Sequence, residues 1–308
     1  MHPYETCDHP AYLENLAETA RRFPEIFRPR AEESHKGSHG TLALIGGSEG
    51  MSGALVLAAT AAMYGGCGKV WAGFRQPSLP MPIIPSRPEI MLSTDGALLE
   101  REDISAWVCG CGLGLDTEAA ATLFQQLQTA GRMPLLLDAD ALTLLARHPD
   151  LAAEIGRGPL ILTPHPAEAA RLLHCTTAEV QADRTAAVKQ LAESFHATVV
   201  LKGHRTLVAD AGGQLYENHS GNPGLASGGS GDVLSGIIGA LLAQNIDAWQ
   251  AACGGVWLHG AAADVLRDCQ TGPAGMLAGE IAPAARWIRN RLSTYLQKAD
   301  WDEPGLFA

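Results

Sequence analysis

A run of small residues from Ser220 to Asp232 holds the chemistry that is easiest to recognise in this chain. It leads directly into apolar residues spaced as one face of a helix. Gly228, Gly229 and Gly231 therefore lie at a predicted helix N-terminus, where free N–H groups and the helix dipole attract a phosphate. Asp232 would repel a phosphate, so we expect it to accept a proton from a hydroxyl group. A plain helix start, with Asp232 facing the helix dipole, is the alternative.

Short apolar strands alternate with amphipathic helices along most of the chain, and these elements must position the glycine run. Strands that are apolar on both sides and separated by helices form parallel sheets covered on both faces. We therefore predict an α/β fold with a mainly parallel central sheet and a β-hairpin near its end. The predicted strands are Thr41–Gly46, Lys69–Phe74, Ala106–Gly110, Pro134–Asp138, Pro159–Thr163, Ala197–Lys202, Thr206–Asp210 and Gln214–Asn218. The predicted helices are Ala11–Arg22, Gly53–Tyr64, Thr117–Ala130, Ala141–Ala146, Pro166–Leu173, Thr177–Phe195, Asp232–Ala243, Asp247–Arg267 and Gly279–Gln297.

Polar residues and glycines recur where the predicted strands end, which is the edge at which such folds bind ligands. The turn Lys202–Thr206 offers a lysine and a threonine hydroxyl to a phosphate. A solvated hairpin tip would have the same composition. His165 stands between two prolines at another strand end. It would bind substrate or relay a proton, or it would serve a purely structural role.

Two further strand ends carry acidic or glycine-rich loops. Asp138 and Asp140 would bind Mg²⁺ through water, or Asp140 would cap the helix that follows. The loop Gly110–Gly114 reads Gly-x-Gly-x-Gly, which matches a dinucleotide-binding fingerprint only weakly. The spacing of Cys109 and Cys111, on either side of Gly110, would also suit a metal or redox pair, a minor alternative to two core residues.

Composition restricts the class of protein. The chain has 308 residues, 46% of them hydrophobic, and a net charge of −11, which argues against nucleic acid or an anionic membrane as the main partner. No apolar run reaches the ~20 residues of a spanning helix, and the first residues do not form a signal peptide. The seven scattered cysteines suit a reducing compartment, so we expect a cytoplasmic protein.

The chain divides into three predicted segments. Residues 1–33 are charged and irregular and form an N-terminal extension, residues 34–298 form the main domain, and residues 299–308 form a C-terminal tail. The Pro-rich stretch Gln76–Pro88 is the one long irregular insert of the main domain. It would be a surface loop or part of an oligomer contact.

Taken together, these motifs and their order resemble the ADP-dependent NAD(P)H-hydrate dehydratases of the ribokinase-like superfamily. The resemblance covers roughly residues 34–292. Leu225, Ser227 and Ser230 stand where that family more often has Met, Thr and Thr. The motifs that carry the resemblance are His35–Gly40, Gly46–Ser48 with Gly53 and Ala54, Gly110–Gly114, Asp138–Ala141, Thr163–Pro166, Leu201–Gly203 with Thr206, and Asn222–Asp232.

The resemblance implies a repair reaction on NADH or NADPH that has been damaged by hydration. The enzyme would use ADP, with Mg²⁺ on the phosphates, to phosphorylate the ring hydroxyl of the S-form, and would then eliminate phosphate. It implies contacts to the adenine nucleotide from Lys202, Gly203, His204, Arg205, Thr206, Gly228, Gly229 and Gly231. It implies contacts to the hydrate from Gly53, Ala54, Gly112, His165 and Asp232, with Asp232 as the catalytic base.

The resemblance also implies a homo-oligomer, possibly a tetramer, and a functional link to a separate NAD(P)H-hydrate epimerase. Two other functions stay open from the residues alone. A superfamily kinase would phosphorylate a small hydroxylated metabolite with ATP and share Asp232 and the glycines. A non-catalytic NAD-binding protein would use the Gly110–Gly114 loop and be indifferent to Asp232. The sequence leaves the choice between ADP and ATP undecided.

Overall fold

A computed structural model describes the backbone of residues 3–302 and the side chains of residues 3–297. Its centre is one nine-stranded sheet of order β3-β2-β1-β4-β5-β6-β7-β8-β9. Strands from β3 to β7 pair in parallel, and β8 and β9 add an antiparallel hairpin. The predicted mainly parallel sheet with a hairpin at its end is therefore confirmed. The strands are β1 Thr41–Gly46, β2 Lys69–Phe74, β3 Met91–Thr94, β4 Ala106–Cys109, β5 Leu135–Leu137, β6 Leu160–Leu162, β7 Thr198–Leu201, β8 Leu207–Ala209 and β9 Leu215–Glu217.

Helices cover both faces of the sheet, as predicted. Leu42 and Leu44 of β1 join the apolar layer of α1, α2, α9, α10 and α11, whereas Ala43 and Ile45 join that of α3 to α8. This alternation explains why β1 is apolar at successive positions. The helices are α1 Pro10–Ala20, α2 Ser52–Tyr64, α3 Asp95–Leu99, α4 Thr117–Ala130, α5 Asp140–Arg147, α6 Pro166–Leu172, α7 Thr177–Ala182, α8 Arg184–Phe195, α9 Ser230–Ala243, α10 Ala248–Asp268 and α11 Ala278–Asp302.

The structure corrects the sequence prediction in two places. The helix predicted over Thr177–Phe195 is two helices, α7 and α8, because Asp183 leaves helical backbone and its carboxylate caps α8 by accepting from Ala186 N at 2.9 Å. Strand β3 and helix α3 were not predicted. All four residues of β3 are only half-buried, so this edge strand lacks the apolar pattern of its neighbours.

The N-terminal segment packs closely on the sheet domain. Ile26 is fully buried, and the Phe27 ring meets the Trp257 ring edge-on at 5.8 Å between centroids. The segment therefore shares the core of the domain at α10. The predicted division into extension, domain and tail stays a prediction: α11 runs on to Asp302, and residues 303–308 of the predicted tail lie outside the described residues.

The Pro-rich insert contains neither helix nor strand and exposes Leu79 and Ile83. Its role in an oligomer contact stays a prediction. Within residues 3–302, no helix combines the length and apolarity that crossing a membrane requires.

Candidate active site

The glycine run opens helix α9 as the sequence predicts. Gly229 is its N-cap, with left-handed backbone at φ 89°. A Cβ there would lie 2.4 Å from the Leu57 side chain, so this position requires glycine. Around Gly228 nothing lies within 4 Å of the position that a Cβ would take. The N-terminus of α9 therefore faces open space at Gly228, and its first N–H groups, which have no acceptor within the helix, favour an anion.

Helix α10 holds the loop that leads into this helix start. The Asp264 carboxylate accepts hydrogen bonds from Gly221 N at 2.7 Å and from Asn222 Nδ2 at 3.1 Å. The side-chain oxygen of Asn222, Oδ1, accepts from Gly224 N at 3.0 Å and caps a short 3-10 turn. Sequence reasoning missed Asp264, since an acid near the end of a long helix carries no signal of its own.

Beside the helix start lies an ion pair between half-buried Lys202 and buried Asp138. Lys202 Nζ donates to Asp138 Oδ1 at 2.6 Å, and Ser235 Oγ donates to Asp138 Oδ2 at 2.7 Å. Burial opposes the charge of Lys202, but the carboxylates of Asp138 and Glu168 hold its pKa above the ordinary value. A Cβ on Gly231 would lie 3.5 Å from Lys202 Nζ, so the ammonium group adjoins the open amides.

Asp232 lies half-buried in the first turn of α9. Burial, followed by the negative charge of Asp138, raises the pKa of Asp232 to about 6. A hydrogen bond from the buried Cys111 thiol and the charge of Lys202 act in the opposite direction. A carboxylate with this pKa is ionised at neutral pH and is a stronger base than an ordinary aspartate.

His165 caps helix α6 and also adjoins the site. Its Nδ1 accepts from Ala167 N at 3.1 Å and Glu168 N at 3.3 Å, while Glu168 Oε2 accepts from His165 N at 2.7 Å. Because Nδ1 accepts, the ring proton of neutral His165 is on Nε2, which lies 3.3 Å from Glu168 Oε1. Burial lowers the pKa of His165. This histidine can therefore donate a hydrogen bond, whereas its Nδ1 is already used by the helix.

Glu168 links this cap to the ion pair. It is 5% exposed, and its Oε2 lies 4.0 Å from Lys202 Nζ. Burial raises the pKa of Glu168 to about 7, although the lysine charge opposes that rise. The sequence indicated only that Glu168 begins a helix, and its contact with Lys202 was not predicted.

Arg184, which sequence analysis also missed, fixes the turn after β7 by binding its backbone oxygens. The Arg184 guanidinium donates to the carbonyl oxygens of Leu201, Lys202, His204 and Arg205, at 3.1, 3.5, 2.5 and 3.2 Å. Gly203 adopts φ 144°, and Thr206 Oγ1 donates to Gly203 O at 3.0 Å. The Thr206 hydroxyl is therefore engaged within the turn.

The predicted substrate residues Ala54 and Gly112 lie close together, next to Cys111, whose thiol forms a hydrogen bond with Asp232. A Cβ on Gly112, where φ is 63°, would lie 3.3 Å from Ala54 Cβ, and Gly53 faces open space. Asp140 Oδ2 accepts from Gly114 N at 2.8 Å and so pins the glycine loop. Asp140 does not cap its own helix, whose N-cap is Ala139 without a side-chain bond.

Two other predicted features do not join the site. Cys109 and Cys111 belong to apolar clusters on opposite faces of the sheet, so they form no pair. Residues 35–40 adjoin the amino ends of the strands, where Gly68 N donates to the backbone oxygen of His39, far from the glycine run. Among the residues that the structure describes, no three His, Cys, Asp or Glu side chains are grouped to hold a metal.

A family model described as NAD(P)H-hydrate dehydratase matches residues 42–285. The chain belongs to this family. All the site residues named above lie within the matched range. The matched range includes the glycine run, Asp232 and the loops at the carboxyl ends of the strands.

Relatives of known name agree with this family. The chain is 60% identical to the ADP-dependent (S)-NAD(P)H-hydrate dehydratase of Neisseria meningitidis serogroup B, over 90% of this chain and 94% of that protein. It is 42% identical to the bifunctional NAD(P)H-hydrate repair enzyme of Escherichia coli, over 88% of this chain and 52% of that protein. It thus spans about half the length of the bifunctional relative.

A solved structure has the same fold. The ADP/ATP-dependent NAD(P)H-hydrate dehydratase of Bacillus subtilis, co-crystallised with ATP and Mg²⁺, superposes with a TM-score of 0.78 at 32% identity. The match covers 91% of this chain and 97% of that one. The ribokinase-like α/β fold expected from the sequence is confirmed.

Proposed function

We propose that this chain is an ADP-dependent (S)-NAD(P)H-hydrate dehydratase that restores NADH and NADPH from their hydrated forms. The observation that supports this most directly is the position of Asp232. Its carboxylate, with a pKa of about 6, lies in the same helix turn as open amides and beside the half-buried cation Lys202. A base, an anion cradle and a cation are the parts that phosphoryl transfer to a hydroxyl requires.

The reaction proceeds in two steps. Asp232 takes the proton of the ring hydroxyl while that oxygen attacks the terminal phosphorus of ADP, and the bond from that phosphorus to AMP breaks. The amides of Gly228, Gly229 and Gly231 and the Lys202 ammonium stabilise the transferring charge. The C–O bond to the new phosphate then breaks, a proton leaves the neighbouring ring carbon, and the ring double bond returns. The products are NAD(P)H, AMP and phosphate.

We assign the nucleotide to the turn Lys202–Thr206 and to the glycine run, and the hydrate to Gly53, Ala54, Gly112, His165 and Asp232. Two contacts of Asp232 support this division: the charge of Lys202, in the nucleotide turn, lowers its pKa, and Cys111, which precedes Gly112, forms a hydrogen bond with it. His165 serves the hydrate as a donor through Nε2, since its Nδ1 accepts from backbone amides. Within the turn, contacts from Gly203, His204 and Arg205 to the nucleotide are part of the same proposal.

Magnesium enters this proposal with the nucleotide. Both Asp138 oxygens already accept hydrogen bonds, from Lys202 and Ser235, and Asp140 holds Gly114 N. These carboxylates therefore do not form a cage for the ion, and phosphate oxygens and water would hold it. When bound, Mg²⁺ would neutralise phosphate charge. The ATP/Mg²⁺ crystals of the Bacillus relative support this expectation.

Three expectations about context belong to the same proposal. The bifunctional relatives support a functional link between this activity and an NAD(P)H-hydrate epimerase. Assembly into a homo-oligomer and a cytoplasmic location stay predictions.

The deciding experiment supplies hydrated NADH with either ADP or ATP and follows the return of reduced-nicotinamide absorbance. We expect turnover with ADP, accompanied by equal amounts of AMP and phosphate. Accumulation of a phosphorylated compound from ATP, without restored NADH, would instead indicate a kinase of the same superfamily. Tight NAD binding without any turnover would indicate the non-catalytic alternative.

A further inference from the structure

Two of the seven thiols lie next to each other, although they are far apart in the chain. Cys7 Sγ lies 3.4 Å from Cys269 Sγ, and 262 positions separate the two residues. Cys7 ends a short 3-10 turn, Glu5–Cys7, before α1, and Cys269 is the C-cap of α10. The residues assigned above to the nucleotide and the hydrate include neither thiol. This pair therefore belongs to the contact between the N-terminal segment and the sheet domain.

Neighbouring contacts hold both cysteines at the same end of α10. The backbone oxygen of Val265 lies 4.0 Å from Cys7 Sγ and accepts from Cys269 N at 2.9 Å. One residue before Cys269, the Asp268 carboxylate accepts from the Tyr12 hydroxyl of α1 at 2.8 Å. From 3.4 Å, the sulfur atoms need to approach by about 1.4 Å to reach the S–S bond length of about 2.0 Å. Rotation of the two side chains can supply an approach of this size.

The two thiols differ in their access to solvent. Cys7 is 1% exposed, whereas Cys269 is half-buried. Burial, followed by the hydrogen bond with Cys269, raises the pKa of Cys7 to about 11, so Cys7 keeps its proton at neutral pH. Thr6 Oγ1 lies 3.2 Å from Cys269 Sγ, and a hydroxyl that donates at this distance stabilises a thiolate. A small oxidant in solution therefore meets Cys269 first, with Cys7 behind it as the resolving cysteine.

Cys175 provides a comparison within the same chain. It is half-buried like Cys269, but it packs on the opposite face of the sheet from Cys7 and Cys269. Its thiol lies 3.7 Å from the backbone oxygen of Thr176. Cys269 therefore differs from Cys175 in having a second sulfur beside it, and exposure to solvent does not separate the two.

We propose that Cys7 and Cys269 form a peroxide-sensitive modification site, where oxidation to a disulfide ties the N-terminal segment to α10. The Cys269 thiolate attacks one oxygen of hydrogen peroxide and the O–O bond breaks, which gives a sulfenic acid on Cys269. The departing hydroxide takes up the proton that Cys269 released. The Cys7 sulfur then attacks the Cys269 sulfur, the S–O bond breaks, and the hydroxyl leaves as water with the Cys7 proton. Two thiols are oxidised and one peroxide is reduced to two waters.

The disulfide restrains the N-terminal segment on the domain. It closes a loop that spans 262 positions, and a long closed loop removes much conformational freedom from the unfolded chain. Ile26 and Phe27 of the segment are buried in the domain core, so the segment has to leave α10 whenever it opens locally. The bond opposes this opening, and a thiol reductant reverses it.

Oxidation of the purified full chain with hydrogen peroxide, followed by alkylation and peptide mass spectrometry, tests the proposal. We expect the wild type and the matched control Cys175→Ser to yield a peptide in which Cys7 and Cys269 are linked, and dithiothreitol to separate it. In Cys7→Ser, a sulfenic-acid trap such as dimedone should label Cys269. In Cys269→Ser, Cys7 should stay reduced. The measurement on the wild type decides the site even where a variant does not fold.

Amide hydrogen exchange then tests the effect on the segment. Exchange of the α1 amides should slow at least about tenfold when the wild type is oxidised, and dithiothreitol should restore it. Oxidised Cys7→Ser should show no such slowing. Sulfinic acid on Cys269 of the wild type, with Cys7 still open to alkylation, overturns the proposal, as does unchanged α1 exchange in the linked protein.

Discussion

The Ser235 hydroxyl and the Asp138 carboxylate form a 2.7 Å hydrogen bond that joins the first turns of α9 to the end of β5. Asp138 is 1% exposed and also accepts from Lys202. This bond fixes the rotation of α9 about its axis, so that Asp232, three residues before Ser235, faces the sheet edge together with Lys202. The base and the cation of the proposed reaction thus share one buried carboxylate as their support.

Replacing Asp232 by Asn should remove nearly all turnover and leave ADP binding intact, because the amide cannot accept the hydroxyl proton. General-base catalysis contributes roughly 10²–10⁴-fold in rate. Restored-NADH kinetics and calorimetry together test this. Asp150→Asn, at an exposed position, is the matched control. Full activity in Asp232→Asn would exclude the role of base.

The pH dependence of turnover should follow the same carboxylate. Burial and Asp138 raise the pKa of Asp232 to about 6, so the ionised base predominates above that pH and the protonated, inactive form below it. Turnover should therefore fall about tenfold per pH unit below 6. A flat profile of kcat/KM for the hydrate between pH 5 and pH 7 contradicts this assignment, because kcat/KM reports the groups of the free enzyme.

Lys202→Met should weaken both ADP binding and the fold. The substitution leaves Asp138 buried with Ser235 as its remaining donor, and breaking a buried pair in this way costs about 3 kcal/mol. Adding Asp138→Asn should recover part of the free energy of unfolding but not the ADP affinity. Denaturant unfolding and calorimetry on both variants separate the two effects. Recovery of ADP affinity in the double variant would remove Lys202 from the nucleotide site.

Arg184→Lys should raise the KM for ADP by about tenfold with a smaller change in kcat. A single ammonium group cannot hold the four carbonyl oxygens that the guanidinium now holds, so the nucleotide turn loosens. Arg157→Lys, at an exposed position, controls for the loss of the guanidinium. A purely structural role would appear as lower stability with unchanged KM.

Gly110→Ala should be strongly destabilising, by at least about 2 kcal/mol. Its φ is 126°, and a Cβ there would lie 1.8 Å from the Asp138 carbonyl oxygen. Gly96→Ala, in helix α3, is the matched control, since nothing lies within 4 Å of its added Cβ. That variant should be neutral or slightly stabilised. Thermal unfolding of the two proteins compares them, and equal losses of stability would refute the packing argument.

Fold stability should decrease in acid because of His259. Burial lowers the pKa of His259 to about 4, below the ordinary 6.5, so the folded protein keeps it neutral while the unfolded chain takes up a proton. The free energy of unfolding therefore shows no loss from His259 above pH 6.5. It falls by about 1.4 kcal/mol per pH unit as pH decreases from 6.5 towards 4. His259→Gln should flatten the slope of unfolding free energy in this range, and the exposed His148→Gln should not.

Much of the fold follows from local patterns in the sequence. The apolar strands indicate a sheet covered on both faces, and the run ending at Asp232 indicates a helix start with open amides. These signals depend on neighbours a few positions apart. Edge strand β3 lacks such a signal because solvent reaches both of its faces, so its residues need not be apolar.

The contacts that complete the site could not be predicted in this way. Ser235 and Asp138 are 97 positions apart, and Asp264 and Gly221 are 43 apart. No periodicity specifies such pairs, which depend on the arrangement of whole helices against the sheet. Arg184 was also missed, because it binds backbone carbonyl oxygens. Every residue carries such an oxygen, so no sequence motif marks the partners of Arg184.

Helix α9 carries both the open amides and the Asp232 carboxylate on one continuous backbone, and its later turns are buried. The distance between these amides and the Asp232 carboxylate is therefore set by helix geometry, and no loop motion adjusts it. On the proposed assignment, a phosphate expelled from the hydrate is still held by the amides that received it from ADP. The cycle thus has a fixed order, in which inorganic phosphate leaves this cradle before another ADP can enter.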